Sequence, residues 1–417
     1  MKWEKKTLDE LGAVARGRSK HRPRNDPKLF GGEYPFIQTA DVKNANFYIN
    51  DFSSTYNEEG LAQSKLWPAG TLCITIAANI ADTGILAMPA CFPDSIMGFV
   101  ANQDITDTRF IKYCFDVLQK ECRQISQGTA QDNLSWEKLS TIKFLIPPIP
   151  VQQRIASILS TYDDLIGNNQ KQIKLLEEAA QRLYKEWFVD LRFPGHENVK
   201  IVDGVPEGWS RKQISELGEI ITGKTPNTSQ KEYYGGSIPF VKIPDMHNCI
   251  YTISTESTLT KLGADKQKNN YIPKNSIMVS CIGTVGLVNI SSELCQTNQQ
   301  INSIVLKNVE DVYYLFFSMK MLKTLLDGVG SNGATMINVN KTKFSSIEIL
   351  YPNAILRNKY FTIAKLYFRK IYYLTKQISS LREARDRLLP KLMSGEIEVV
   401  DTTPSSLRDA PEEISLF

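Results

Sequence analysis

Basic side chains are concentrated in one short segment near the amino terminus, among glycine and proline residues. Within nine positions the sequence places Arg16, Arg18, Lys20, His21, Arg22 and Arg24. Lysine and arginine neutralise the phosphates of nucleic acids, and the arginine fork matches the acceptor edge of guanine. We therefore predict that this segment contacts DNA. The alternative interpretation is a charged surface loop that contacts only solvent.

Amide and hydroxyl side chains form a second group of candidates in glycine-rich stretches further along the chain. Asparagine and glutamine can hydrogen-bond an adenine through two atoms at once. The remaining candidate DNA contacts are therefore Gln131, Asn133, Lys224, Asn227, Lys231, Asn332, Thr335 and Asn338. The alternative for these stretches is that they are ordinary surface loops.

Signatures of catalysis are weak. Residues 218–225 match the letters of a phosphate-binding loop, but Pro226 follows them where a helix should begin. The acidic residues show no spacing that singles out an acid–base pair. The seven cysteines have no CxxC spacing, and the three histidines are far apart. We expect no catalytic residue, no metal site and no cofactor bound by this chain.

The elements that position the candidate contacts occur twice. The sequence matches itself at an offset of about 205 residues, with Trp3 on Trp209 and Gly17 on Gly223. Residues 31–36, GGEYPF, align with residues 235–240, GGSIPF. Both copies contain buried-strand patterns, at residues 71–77 and 276–282, and a strand that runs into proline, at 142–147 and 347–352. The copies share glycines and apolar residues but differ in their polar loops, as expected of one scaffold with two specificities.

A long helix with a heptad pattern ends each copy, spanning about 50 Å between Ile155 and Trp187 at about 1.5 Å per residue. We predict that the two helices pair antiparallel, since a heptad seam must contact a partner. Asn169 is a polar seam position, and Arg385 predicts looser pairing at its end. The alternative is that each helix packs only on its own copy. The predicted interface comprises Ile155, Leu159, Tyr162, Ile166, Ile173, Leu176, Leu183, Trp187, Tyr367, Ile371, Leu374, Ile378, Leu381 and Leu388.

Length and charge agree with a multidomain protein that binds nucleic acid. A chain of 417 residues favours more than one domain. The net charge of +4 permits nucleic-acid binding without requiring it. No stretch has the roughly 18 apolar residues of a membrane helix, and the first residues lack the apolar core of a secretory signal. We expect a cytoplasmic protein.

With these features the chain resembles the specificity (S) subunits of type I restriction–modification systems, the HsdS family. The resemblance covers nearly the whole chain. Besides the duplication and the two GG segments, it rests on QQRIA at 152–156, LYKEWF at 183–188 and RLLPKLMSGEI at 387–397. The second helix departs from the pattern, because residues 355–358 read ILRN where paired glutamines are typical.

The resemblance implies an α+β fold: two tandem α/β recognition domains separated by an antiparallel pair of long coiled-coil helices, with pseudo-two-fold symmetry. It implies target recognition domains at 1–150 and 209–354, long helices at 151–188 and 355–395, a linker at 189–208 and a polar tail at 396–417. Each domain would recognise half of a split, asymmetric site in double-stranded DNA, while the helices fix the spacing.

The resemblance also implies partners that carry the chemistry. Two methyltransferase subunits would bind S-adenosylmethionine, and motor-nuclease subunits would use ATP and Mg²⁺. Two rival hypotheses remain open on the sequence alone: a coiled-coil protein–protein scaffold without DNA recognition, and a diverged DNA-modifying enzyme.

Overall fold

The computed structural model describes residues 3–76, 82–125, 136–329 and 339–399, with side chains left out of the description at 120–125, 136–138 and 322–329. Five of the candidate DNA contacts lie outside the described residues: Gln131, Asn133, Asn332, Thr335 and Asn338. The tail from residue 400 onwards also lies outside them.

Two compact units divide the chain. The first comprises Met1–Gly167 and Leu381–Phe417, and the second comprises Asn168–Ser380. Each unit contains one copy of the repeat together with part of both long helices. The units therefore do not follow the linear boundaries that the sequence suggests, because each long helix changes unit partway along its length.

The first unit contains nine short strands and four short or medium helices among its described residues. The strands are β1 (Glu4–Lys6), β2 (Gly12–Arg16), β3 (Phe30–Phe36), β4 (Tyr48–Ile49), β5 (Ser54–Tyr56), β6 (Leu72–Thr75), β7 (Thr83–Leu86), β8 (Ile96–Ala101) and β9 (Phe144–Ile146). The helices are α1 (Thr39–Asn44), α2 (Glu58–Ala62), α3 (Thr108–Ile125) and α4 (Trp136–Thr141).

A five-stranded sheet in the order β2-β8-β6-β7-β4 forms the centre of the first unit. All its neighbours are antiparallel except β4 and β7, which are parallel. Every residue of β6 is buried, which explains the uninterrupted apolar run Leu-Cys-Ile at its start. Two smaller pairings complete the unit, β3 with β5 and β1 with β9. The strands predicted at 71–77 and 142–147 are therefore confirmed.

The long helix α5 follows as Ile149–Tyr184 and continues in a π-helical turn, Lys185–Val189. Twelve strands then follow: β10 (Ile201–Val202), β11 (Val205–Pro206), β12 (Ser210–Gln213), β13 (Gly218–Thr222), β14 (Tyr234–Val241), β15 (Tyr251–Thr252), β16 (Ser257–Leu259), β17 (Ile277–Ser280), β18 (Val288–Ser291), β19 (Gln296–Thr297), β20 (Ile301–Leu306) and β21 (Glu348–Tyr351). The helices are α6 (Ile214–Leu217), α7 (Lys261–Asp265), α8 (Val312–Val329), α9 (Lys341–Ser345) and α10 (Ala354–Met393).

The second unit repeats the architecture of the first. Its five-stranded sheet has the order β13-β20-β17-β18-β15, with the same parallel pair at one edge. The strand β14 pairs with β16 and β19, and β12 pairs with β21. The strands predicted at 276–282 and 347–352 are confirmed as β17 and β21. The internal repeat of the sequence is thus a repeat of the fold.

The two long helices contact each other, and their directions are opposite. In the second unit the Asn169 amide donates to Gln377 at 3.2 Å, and the rings of Tyr184 and Tyr360 lie 6.4 Å apart. Residues later in α5 therefore contact residues earlier in α10, as in an antiparallel pair. In the first unit Arg385 forms an ion pair with Asp163. The seam residue that predicts looser pairing thus holds a charged contact in place of an apolar one.

Each helix also packs on the repeat that shares its unit. In the first unit Ile155 and Leu159 share a core with Leu389 and Leu392 and with strands of the sheet. In the second unit Phe368 stacks on Tyr313 of α8, with ring centroids 4.2 Å apart. Of the predicted seam, the buried positions are Ile155, Leu159, Ile166, Trp187, Ile371, Leu374 and Ile378. The half-buried ones are Tyr162, Ile173, Leu176, Leu183, Tyr367, Leu381 and Leu388.

A buried glutamine joins the start of α5 to the first repeat. Gln152 is fully buried, and its amide nitrogen donates to the carbonyl oxygens of Ile105 at 3.0 Å and Pro147 at 2.9 Å. Its Oε1 accepts from the Thr106 hydroxyl at 3.0 Å and from the Asp107 backbone N–H at 3.1 Å. One side chain therefore satisfies four polar groups at the point where the helix leaves the domain.

The second repeat makes the same joint with charges. The buried Asp311 carboxylate accepts from the Tyr351 hydroxyl at 2.6 Å and forms an ion pair with Arg357, near the start of α10. This explains why the second helix lacks the paired glutamines: an arginine one turn from the helix start replaces them.

We expect Gln152→Ala to lower the free energy of unfolding by about 3 kcal/mol, since it leaves several buried polar groups without partners. Thermal or denaturant unfolding of the full chain measures this. The matched control is Gln153→Ala, because Gln153 is exposed and should change the stability by less than about 0.5 kcal/mol. Equal effects of the two substitutions would contradict the joint.

Candidate nucleic-acid interface

Two equivalent glycines fix where the candidate loops leave the central sheets. The Gly17 N–H donates to the Ile96 carbonyl at 2.8 Å, and the Gly223 N–H donates to the Ile301 carbonyl at 3.0 Å. A Cβ at Gly17 would overlap the Pro93 carbonyl oxygen, and one at Gly223 would overlap that of Asn298. Only glycine permits this close approach, so the shared glycines serve backbone packing.

The structure also excludes a phosphate-binding loop at residues 218–225. Residues 218–222 of that motif form the strand β13, paired along its length with β20. A phosphate-binding loop needs these positions in a loop that wraps the phosphate.

The backbone of the basic segment in the first unit is held by two neighbouring side chains. Gln63 Oε1 accepts from the backbone N–H of Lys20 at 2.6 Å and of His21 at 3.0 Å. The Ser64 hydroxyl donates to the Arg18 carbonyl at 2.7 Å. The loop is therefore a fixed platform for its side chains.

Three of the six candidate side chains in this segment are engaged within the unit. Arg22 donates to the backbone carbonyls of Ser19 and His21, at 2.7 and 2.8 Å. Arg24 forms an ion pair with Asp94 at 2.7 Å. His21 lies 2.8 Å from Asp26, and this hydrogen bond lowers the pKa of that carboxyl group.

The other three side chains have no such partner among the described residues. Arg16, Arg18 and Lys20 are exposed, and their side chains make no hydrogen bond or ion pair with the part of the chain that the structure describes. They are the cations that an approaching phosphate backbone can bind at least cost, because no internal contact has to break.

The equivalent loop of the second unit is fixed in the same way but carries less charge. The Lys224 N–H donates to the Thr297 carbonyl at 2.9 Å, and Gln267 Nε2 donates to the Lys224 carbonyl at 2.7 Å. Asn227 Oδ1 accepts from the N–H and hydroxyl of Ser229, at 3.1 and 2.9 Å. The side chains of Lys224, Asn227 and Lys231 are exposed.

Sequence reasoning missed the side chains that face these loops from elsewhere in each unit. Asp94 binds Arg24 in the first unit, and the Thr225 hydroxyl donates to Gln299 Oε1 at 2.6 Å in the second. These contacts join residues about 70 positions apart, so no local pattern reveals them. The alignment of the repeats supplies a signal, since it places Asp94 opposite Gln299.

No metal or membrane feature is found within the described ranges. They contain no group of three histidine, cysteine or acidic side chains that could hold an ion. Likewise, none of the described helices combines the length and the apolar character that crossing a bilayer requires.

One further surface stands out on α10. Ile355, Leu366 and Tyr373 are 72%, 69% and 55% exposed and lie three and two helical turns apart, on one face. Residues 354–380 contain no acidic residue and six basic ones: Arg357, Lys359, Lys365, Arg369, Lys370 and Lys376. Arg357 is largely buried in its ion pair with Asp311, so the exposed face combines the apolar stripe with the positive charge of the other five basic residues.

Comparison with known proteins places these features in a family. The model of the type I restriction modification DNA specificity domain matches residues 1–178 and, a second time, residues 206–365. The chain belongs to this family. The two matches correspond to the two repeats.

Named members of the family align along most of the chain. The type I restriction enzyme HindI specificity subunit of Haemophilus influenzae is 35% identical over 330 residues, which cover 63% of this chain and 71% of that protein. The MjaIX specificity subunit of Methanocaldococcus jannaschii is 26% identical over 416 residues, or 95% of this chain and 94% of that one.

A solved structure supports the fold. The crystal structure of the type I restriction–modification system S subunit from M. genitalium aligns with a TM-score of 0.57 at 16% identity, covering 94% of this chain and 96% of that one. The specificity-subunit fold with two recognition domains and two long helices, expected from the sequence, is therefore confirmed.

Replacing Arg16, Arg18 and Lys20 with alanine should weaken DNA binding and flatten its dependence on salt. Each lost phosphate contact reduces the slope of log K against log salt by about 0.9, so loss of all three predicts a reduction of about 2 to 3. Fluorescence anisotropy of the full chain between about 50 and 200 mM salt measures the slope. Lys43→Ala, at an exposed lysine outside the loop, is the control. An unchanged slope in the triple variant would exclude phosphate contacts here.

Proposed function

We propose that this chain gives a type I restriction–modification complex its DNA sequence specificity, with each repeat recognising one half of a bipartite, asymmetric site. The observation that carries the proposal is the duplicated fold with unlike polar loops at the same place. One backbone framework holds guanidinium groups in the first unit and mainly amides and hydroxyls in the second. Family membership supports the same conclusion.

The two loops favour different bases. Arginine forks pair with the O6 and N7 acceptors of guanine, whereas asparagine and glutamine pair with the N6 and N7 edge of adenine. Arg16 and Arg18 are the guanidinium groups of the first loop that have no internal partner among the described residues. The two half-sites should accordingly differ in sequence.

The paired helices set the distance between the half-sites. Two DNA-binding domains on a rigid connection suit half-sites about one helical turn apart, about 34–36 Å. The hydrogen bond between Asn169 and Gln377 supports a fixed register of the pair, because a polar contact at a seam position disfavours a shift along the helix.

Catalysis belongs to partner subunits in this proposal. Two methyltransferase subunits bind S-adenosylmethionine and modify adenine, and motor-nuclease subunits use ATP and Mg²⁺. The exposed stripe Ile355, Leu366 and Tyr373 with its basic surroundings fits an apolar partner surface edged by carboxylates, and we assign it to one methyltransferase subunit. The complex acts in the cytoplasm.

Co-expression of the chain with its methyltransferase partner, followed by genome-wide mapping of modified adenines, tests the proposal. We expect one split motif with two different halves and a constant spacer. Absence of any motif, or a single uninterrupted one, would contradict two-part recognition. The coiled-coil scaffold without DNA recognition predicts no motif at all.

Lengthening both helices should lengthen the spacer and leave the half-sites unchanged. Four residues inserted beside Asn169 and four beside Gln377 add about one turn to each helix, or about 6 Å, close to two base pairs. Adenine mapping reads the new spacer directly. The control places four residues in the exposed turn at Asp203–Gly204, outside the helices. A spacer that stays constant in the helix variant would refute the role of the helices.

A further inference from the structure

A short turn between β19 and β20 lies against the candidate loop of the second unit. Asn298 holds this turn: its Oδ1 accepts from the Gln300 N–H at 3.2 Å, and its amide nitrogen donates to Gln300 Oε1 at 3.0 Å. Asn298 is itself buried, and its N–H donates to the Val241 carbonyl at 3.1 Å. The turn is therefore a rigid support for the exposed side chain of Gln299.

Two other segments converge on this turn and make three with it. The Thr225 hydroxyl donates to Gln299 Oε1 at 2.6 Å, which ties in the loop after β13. The Cys281 N–H donates to the Gln300 carbonyl at 2.8 Å, which ties in the turn after β17. That turn is closed by the Ser280 hydroxyl, which donates to the Thr284 carbonyl at 2.6 Å. The exposed residues of the three segments thus form one continuous surface.

The chemistry of this surface suits contact with base edges. Residues 223–230, 281–284 and 297–302 contain no aspartate or glutamate and carry one lysine, Lys224. The surface therefore offers amide and hydroxyl groups without repelling phosphates. Within the described part of the chain, the Gln299 Nε2 group has no hydrogen-bond partner, while Thr225 fixes the other end of the same amide.

The first unit places a different side chain at the same position. Asp94 aligns with Gln299 and, like it, contacts the loop that follows the shared glycine: Asp94 binds Arg24, and Gln299 binds Thr225. Both units therefore have a contact from this position to the loop, but it is an ion pair in the first unit and a hydrogen bond between neutral groups in the second. A position that is constant in the fold and variable in chemistry between two domains of different specificity is expected to help determine that specificity.

We propose that Gln299 is a specificity-determining residue that contacts a base edge of the half-site recognised by the second repeat, with Thr225 orienting its amide toward adenine and Gln300 holding the turn that presents it. The inference rests on the proposed function and adds to it a residue that discriminates between bases. A glutamine amide that pairs with the N6 and N7 edge of adenine discriminates against other bases by about 5- to 100-fold.

The test maps modified adenines in cells that express the partner methyltransferase with Gln299→Ala, Gln300→Ala or the wild-type chain. We expect the two variants to lose about 5- to 100-fold discrimination at one or two base pairs of one half-site, with the other half-site and the spacer unchanged. The matched variant Asp94→Ala should relax the opposite half-site. Asn198→Ala, at an exposed amide between the two repeats, should leave the motif intact.

Several outcomes would overturn the inference. An unchanged motif in both glutamine variants excludes base contacts, and weaker modification with both half-sites intact indicates phosphate contacts only. Loss of all modification in Gln299→Ala is checked with Thr225→Val and Thr225→Ser. If Thr225→Val relaxes the same half-site and Thr225→Ser does not, the inference holds; if neither changes the motif, it fails. A wild-type chain that yields no motif would instead contradict the proposed function.

Discussion

The contact between the two long helices is the constraint on which the rest of the structure depends. Within the second unit α5 and α10 meet through the Asn169–Gln377 hydrogen bond and the ring pair of Tyr184 and Tyr360. Within the first they meet through Asp163 and Arg385. The core of the first repeat includes residues from the end of α10, and the core of the second repeat includes residues from the end of α5. Neither repeat therefore has a complete core without the helix that follows the other repeat in the chain.

Polar groups in this contact select one register of the two helices more strongly than apolar packing does. Burial raises the pKa of Asp163, although the Arg385 guanidinium and the Tyr113 hydroxyl, 2.6 Å away, both favour the charged carboxylate. Breaking a buried ion pair by removing one partner is costly. A shift of one helix along the other would leave such groups unpaired, so these contacts favour a single register of the helix pair, which the proposed spacing of the half-sites requires.

The sequence predicts most of the framework and little of the recognition surface. Helices predicted at 151–188 and 355–395 end within a few residues of those observed, since a heptad pattern over ten turns is a strong signal. The heptad pattern does not predict that each helix packs on both repeats, because residues that make this packing, such as Phe368, lie outside the heptad frame. The Asp94 and Gln299 positions depend on contacts between distant strands, and only the alignment of the two repeats hints at them. Whether His21, Arg22 and Arg24 contact DNA remains a prediction, as each already has a partner within its loop.

Chemical crosslinking tests the helix contact most directly. Asn169 and Gln377 are replaced by cysteine together, and the full chain is treated with a short bifunctional maleimide, with each single variant and an Asn169→Cys, Asn358→Cys pair as controls. The account predicts intramolecular crosslinking of the first pair, slowed by the burial of residue 169 but seen by peptide mass spectrometry, and none in the controls. Failure of that pair to crosslink above the control level, in a folded chain, would contradict the paired helices and the fixed spacing derived from them.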